Sequence, residues 1–385
     1  MTIVLPNRDA DVSYVGAETA DDVLAFHRRL PGYRPTPVVA LPDLARVTGV
    51  ADVRIKDESD RFGLPAFKML GASWASYRVL WERLERSPEP WTTIDDLASR
   101  FEPLRPLTLA TATDGNHGRA VARFARWLGL GARVLVPAGT APARIDAIAE
   151  EGAAVGVVDG TYDDAVAAAA ALAGERVLVV SDTAWPGYER VPACVIDGYS
   201  TIFHELDAQL GDGFEPDVVL VQIGVGALAA ATVRHYRRRG LRSRPRLVGV
   251  EPESAACALA SARAGRLTSV PGPHDSIMAG LNCGTPTSIA WPVLRAGVDV
   301  FVAIDDERAR DGMRTLAAAG LVSGETGAAG AGALLELLTG PDAEQHRALL
   351  GLDADSRVVL ISTEGATDPE NYARVVGRTT AEVAP

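Results

Sequence analysis

Short, strongly apolar runs recur along this chain, separated by longer stretches in which apolar positions return every three or four residues. The runs Pro37–Leu41, Val53–Lys56, Leu107–Thr111, Arg133–Val136, Ala154–Val158, Val177–Val180, Val218–Gln222, Leu247–Val250 and Val358–Ser362 have the length and β-branched content of strands. Segments such as Gly71–Glu85, His117–Leu128, Pro142–Glu150, Tyr162–Ala173 and Gly226–Arg239 have the spacing or alanine content of helices. Strands alternating with helices of this length predict an α/β fold of open parallel sheets wound by right-handed crossovers. Runs such as VVLVQI and RVVLIS are nearly all apolar, the pattern of a strand covered on both faces. The N-terminal segment ahead of these strands reads as irregular. Thr268–Thr287, rich in Gly, Pro and Ser, reads as a long ordered loop.

Length sets the scale: 385 residues give room for two α/β domains, although no Gly/Ser/Pro linker marks a boundary. No run approaches the roughly 18 apolar residues of a membrane span. The first residues carry acids and no basic region ahead of an apolar stretch, so they do not read as a secretory signal. A net charge of −12, with the acids dispersed, disfavours nucleic acid or an anionic membrane as the main partner. Cys194, Cys257 and Cys283 are spaced for neither a zinc site nor a disulfide framework. The expectation is no metal, reduced and mostly buried thiols, and a cytoplasmic location.

The cations are less ordinary. Of 38 basic residues only Lys56 and Lys68 are lysines. Guanidinium stays protonated, whereas a desolvated ammonium can lose its proton and attack a carbonyl. Lys68 follows Phe67 and precedes a helix expected to begin near Met69–Gly71, and both low dielectric and a helix start would depress its pKa. A snorkelling surface lysine is the ordinary alternative.

Three further segments sit where strands meet helices or turns, the usual place for ligands in open parallel sheets. Thr111–Gly118 (TATDGNHG) presents polar side chains and N–H groups at a helix start, able to take a carboxylate or simply to cap the helix. Gly224–Ala229 (GVGALA) lets backbone approach a phosphate, and with Glu251 after the next strand it also fits a dinucleotide site. Ser362 and Thr363 end a strand where a hydroxyl could meet a heterocyclic nitrogen, or could merely lead into a turn.

Together these segments resemble the fold type II pyridoxal-phosphate enzymes, the group of tryptophan synthase β, threonine dehydratase and cysteine synthase. Within that group the likeness is to the diaminopropionate ammonia-lyase branch. It is carried by KDESDRFGLPAFKMLGAS (Lys56–Ser73), TATDGNHGRAVA (Thr111–Ala122), SDTAWPGYE (Ser181–Glu189), QIGVGALAAA (Gln222–Ala231), SIMAGLNCGTP (Ser276–Pro286), SGETGAAG (Ser323–Gly330) and STEGATDP (Ser362–Pro369). The segments run in order over nearly the whole chain. Pro65, Pro186 and Asn282 depart from the family pattern at positions that could reshape the substrate pocket.

The resemblance implies two parallel-sheet domains with helices on both faces: a larger cofactor-binding one from residues 1–70 and 215–385, and a smaller substrate-side one from 71–214. It implies that Lys68 carries pyridoxal 5′-phosphate as an imine, that Asn116 contacts the 3′-oxygen, and that Gly224, Val225, Gly226, Ala227 and Leu228 hold the phosphate. Ser362 or Thr363 would face the pyridine nitrogen. Thr113, Asp114, Gly115 and His117 would receive the substrate carboxylate. Lys68, Asp114 and Asp182 would be catalytic, the two aspartates forming an acidic pair.

The implied reaction is elimination of ammonia from 2,3-diaminopropionate, giving pyruvate and a second ammonia, in a homodimer acting on a small amino acid. A serine/threonine dehydratase or β-replacement synthase would share the fold and Lys68. A dinucleotide-dependent dehydrogenase would use GVGALA and Glu251 but leaves Lys68 and TATDGNHG unexplained. A non-catalytic descendant would have no use for an intact Lys68.

Overall fold

The strands are β1 (Ile3–Pro6), β2 (Val38–Ala40), β3 (Asp52–Asp57), β4 (Thr108–Ala112), β5 (Gly131–Pro137), β6 (Ala154–Val158), β7 (Val177–Val179), β8 (Val218–Gln222), β9 (Arg246–Pro252), β10 (Val300–Ile304) and β11 (Arg357–Ser362). They come from a computed structural model that describes every residue except Met1, 18–21, Asp114, Asp212, Arg242 and Pro385. The chain divides into two compact units. One comprises Met1–Glu18, Pro35–Asp60 and Ile202–Pro385; the other comprises Thr19–Arg34 and Arg61–Thr201. These crossings differ from divisions at 70/71 and 214/215: Arg61–Thr201 starts before the Lys68 helix, whose packing partners lie in the same unit, and ends inside helix Ser200–Leu210.

In the first unit the sheet order is β1-β10-β9-β8-β11-β3-β2. The interior pairs are parallel, and β8 and β10 are buried along their whole length, as their apolar runs require. Both edges depart from the all-parallel expectation, because β1 pairs antiparallel with β10 and β2 antiparallel with β3. The Pro42–Thr48 connection is short for a parallel crossover, so β3 returns in the opposite direction. β1 falls in the segment expected to be irregular, and β10 was not expected as a strand. β1 is a partly exposed edge strand without a clear burial alternation, and β10 follows helix Trp291–Gly297 with little turn punctuation.

Helices Asp306–Ala318 and Glu325–Thr339 pack backbone to backbone: a Cβ on Gly332 would lie 2.0 Å from the Arg308 carbonyl oxygen. Lys56 is fully buried on β3, and its Nζ donates to Glu205 Oε2 (2.8 Å), Gln209 Oε1 (2.8 Å) and the Thr36 carbonyl (2.7 Å). Three acceptors match the three donors of an ammonium, so this lysine is a structural tie. Thr268–Thr287 is a loop, as expected, interrupted by a single helical turn at Ala279–Leu281.

The second unit holds a parallel sheet of order β6-β5-β4-β7. Helix Lys68–Arg83 begins three residues before Gly71, so Lys68 is its first residue. This helix packs on helices Asn116–Trp127 and Arg190–Gly198. Its outer side meets an aromatic cluster in which Phe26 lies 5.3 Å from Trp74 and 4.6 Å from Tyr77, ring centre to ring centre. No described helix is long and apolar enough to cross a membrane. All three cysteines are buried and none forms a disulfide.

Gly198 sets how near its helix approaches the one that begins with Lys68, since a Cβ there would lie 2.4 Å from the Leu70 carbonyl oxygen. Gly198→Ala should therefore lower stability by about 1–3 kcal/mol, the usual cost of overpacking. Gly213→Ala, where a Cβ meets nothing within 4 Å, should unfold like the parent protein. Urea titrations of both variants check this, and equal midpoints would refute it.

Candidate active site

In the second unit β4 and β7 are neighbouring parallel strands, so their carboxyl ends lie side by side. The turn Thr113–Asn116 leaves one and Asp182 follows the other. Lys68 reaches the same place from its helix start, and its Nζ donates to Asp182 Oδ2 at 2.8 Å. The lysine side chain is 18% exposed and the aspartate 5%, so this is a largely buried ion pair rather than a snorkelling surface cation. The other carboxylate oxygen, Oδ1, accepts from the Tyr162 hydroxyl at 3.0 Å. Burial alone would raise the Asp182 carboxyl. The Lys68 ammonium, the His117 ring and the Tyr162 hydroxyl outweigh it and hold the carboxyl well below the usual carboxylate range. Asp182 is thus an anion at neutral pH, poised to hold a cation rather than to donate a proton.

The turn itself is built from local bonds. Thr113 Oγ1 accepts from the Gly115 N–H at 2.9 Å, and His117 Nε2 donates to the Val180 carbonyl at 2.8 Å, tying the turn to the chain after β7. Asn116 is the first residue of its helix, so the turn presents helix-start N–H groups. The aliphatic part of Arg144 lies against Gly115, with Cδ 3.2 Å from where a Cβ would be. Asp114 lies outside the described residues. Tyr162 carried no signal in the sequence, because only the fold brings a helix start after β6 to a carboxylate after β7.

The remaining expected residues belong to the first unit. Gly224–Gly226 leads from β8 into helix Ala227–Tyr236, which includes Leu228. Gly226 has φ of 97°, a conformation that favours glycine. A Cβ on Gly224 would lie 2.9 Å from the Gly280 carbonyl oxygen, and Thr287 N–H donates to the Val225 carbonyl at 2.8 Å. The long loop Thr268–Thr287 therefore braces the glycine turn. β11 neighbours β8 and carries Ser362 and Thr363 at its end. Ser362 Oγ lies 2.8 Å from Ser323 Oγ, whereas the buried Thr363 hydroxyl has no hydrogen-bond partner among the described residues. Among those residues no group of three or more His, Cys, Asp or Glu could hold a metal ion.

Glu251 decides between two uses of the glycine turn. It is fully buried, and its two oxygens accept from the N–H groups of Ala258 and Leu259 at 2.7 and 2.8 Å. It caps helix Cys257–Ala264 and is not presented to a ribose. Burial pushes its carboxyl from 4.5 up to about 8. The contribution of its neutral form to stability is full below pH 4.5 and drains away as pH rises through about 8. Unfolding free energies of Glu251→Gln should depend less on pH across that window than those of the parent protein. Parallel curves would show that the carboxyl does not titrate there.

A family model described as pyridoxal-phosphate-dependent enzyme matches residues 29–364. The diaminopropionate ammonia-lyase of Escherichia coli (strain K12) is 39% identical over 376 residues, covering 94% of this chain and 92% of that protein. The enzyme of that name from Salmonella typhimurium is 38% identical over 385 residues, covering 95% and 94%. The crystal structure of the Escherichia coli enzyme in complex with D-serine superposes with a TM-score of 0.88 at 36% identity, covering 98% of this chain and 97% of that one. Its complex with an aminoacrylate–PLP azomethine reaction intermediate gives 0.87 at 35% identity, covering 100% and 98%. A lysine paired with a carboxylate, a braced glycine turn and hydroxyls at a strand end suit pyridoxal phosphate, and the chain belongs to the pyridoxal-phosphate-dependent enzymes, in the family of the diaminopropionate ammonia-lyases.

Proposed function

We propose that this enzyme eliminates ammonia from 2,3-diaminopropionate, giving pyruvate and two molecules of ammonia. The observation that carries the reading is the ionised Asp182, a buried carboxylate whose cation partner is the lysine proposed to take the cofactor. When Lys68 is engaged by the cofactor, Oδ2 is left as a place for another ammonium, and the β-ammonium of diaminopropionate supplies one. Serine and threonine offer a neutral hydroxyl there. Likeness to enzymes named for this reaction, one of them trapped with an aminoacrylate–PLP azomethine, supports the same reading.

Lys68 would carry the cofactor covalently, and Gly224, Val225, Gly226, Ala227 and Leu228 at a helix start would hold its phosphate. Asn116 would contact the 3′-oxygen. Ser362 or Thr363 would hold the pyridine nitrogen, and the buried Thr363 hydroxyl has no hydrogen-bond partner among the described residues. The bound cofactor supplies an electron sink for the carbanion formed at Cα. Thr113, Gly115 and His117 shape the turn that takes the substrate carboxylate. The released Lys68 amine removes the α-proton from one face, and Asp114 from the other. Asp182 holds the β-ammonium as it leaves. The first unit is the cofactor-binding domain and the second the substrate-side domain; the working form is a cytoplasmic homodimer.

Purified enzyme should be yellow, and borohydride should fix the cofactor on the Lys68 peptide. Lys68→Arg should abolish turnover, because a guanidinium cannot form the imine. Pyruvate should appear from diaminopropionate faster than 2-oxo acids appear from serine or threonine; faster 2-oxobutyrate from threonine would move the assignment to a dehydratase.

Asp114→Asn keeps a helix-capping side chain and removes a base. The variant should keep its visible band and lose activity on D-diaminopropionate far more than on the L-isomer. An unchanged ratio of D to L rates would leave Asp114 as a cap.

A further inference from the structure

We infer that Tyr162 is a positioning residue for substrate: its hydroxyl pins Oδ1 of Asp182, so that Oδ2 alone stays aimed at an ammonium. The ammonium is that of Lys68 in this structure and the β-ammonium of substrate in the working enzyme, so the inference rests on the proposed diaminopropionate reading. A carboxylate that can rotate offers either oxygen to a cation. One whose first oxygen is held at 3.0 Å by a fixed phenol is locked in orientation, so its second oxygen keeps pointing one way.

The phenol is fixed. Tyr162 opens helix Tyr162–Ala170, whose start is locked by a reciprocal capping box between Thr161 and Asp164. Its ring packs against the cluster of Ala112, Leu135, Ala165, Val166 and Ala169. The direction of the hydroxyl is thus set by two independent devices, a helix cap and an apolar contact.

Among the described residues, the charged and titratable groups around Asp182 include Lys68 on helix Lys68–Arg83, His117 on helix Asn116–Trp127, Tyr162, and Tyr188 a few residues along its own segment. With Lys68 engaged by the cofactor, His117 and Tyr162 remain to keep the carboxyl ionised. Tyr188 is committed elsewhere, accepting from Ser181 N–H at 3.0 Å and donating to the Val179 carbonyl at 2.8 Å. Loss of the Tyr162 hydroxyl removes a donor to the carboxylate, which raises its pKa.

The test is Tyr162→Phe in the holoenzyme, a change of one oxygen atom on a half-buried ring. Removal of a hydrogen bond to a charged group should raise KM for diaminopropionate about tenfold or more. The acid limb of kcat/KM should move to higher pH. Alanine, which has the same α-groups and no β-ammonium, reports binding without turnover through the absorption change of the cofactor, and its Kd should stay unchanged. Equal weakening of both ligands would show a general structural role and overturn the inference, as would unaltered KM and pH profile. Parent enzyme that releases no pyruvate from diaminopropionate would remove the substrate reading and this inference together. Normal parent turnover with an unaffected Tyr162→Phe would overturn the inference alone.

Discussion

The pairing of Lys68 with Asp182 is the constraint around which the second unit is arranged. Burying two charges is costly unless each finds its partner at close range, and at 2.8 Å the pair satisfies that condition only if helix, strand ends and turn hold their places. Gly198 lets one neighbouring helix come up against the first turn of the Lys68 helix. His117 fastens the Thr113–Asn116 turn to the chain that leads to Asp182. Tyr162 closes the remaining side of the carboxylate. Lys68 is thereby held in one place at the start of its helix, and its ammonium helps keep the carboxylate opposite it charged.

The first unit meets a different requirement, the close packing of its own glycine turn. Small residues at 224 and 226 permit the turn, yet the turn is not loose. Gly224 is hemmed in by the Gly280 carbonyl and Gly226 by Leu294, so each glycine is demanded by the protein's own packing. Glu251, which a dinucleotide site would have needed at the surface, spends both oxygens on a helix start.

The two lysines show how the same side chain serves opposite ends. Lys56 has three well-placed acceptors and no exposure, so its ammonium is consumed by structure. Lys68 retains some exposure, and its ammonium faces the Asp182 carboxylate. Elsewhere the chain uses arginine, including three that converge on the buried Glu151 from one helix, where planar bidentate pairing suits a guanidinium.

The sequence by itself determined the α/β class, most strands of both sheets, the family and its cofactor, because each rests on local signals: apolar runs of strand length, and motif segments that keep their order along the chain. The helix start at Lys68 and the glycine turn after a strand were legible for the same reason. Tertiary structure decided what depends on partners far apart in the chain. β1 is a strand only because β10 offers it an edge, and the sheet margins run antiparallel through connections that no periodicity encodes. The alternative left open at Glu251 closed once its hydrogen bonds were visible. Asp182 was named from its motif, but its charge state belongs to Lys68, His117 and Tyr162, residues up to 114 positions away. Electrostatics acts through space, and only the fold fixes those distances.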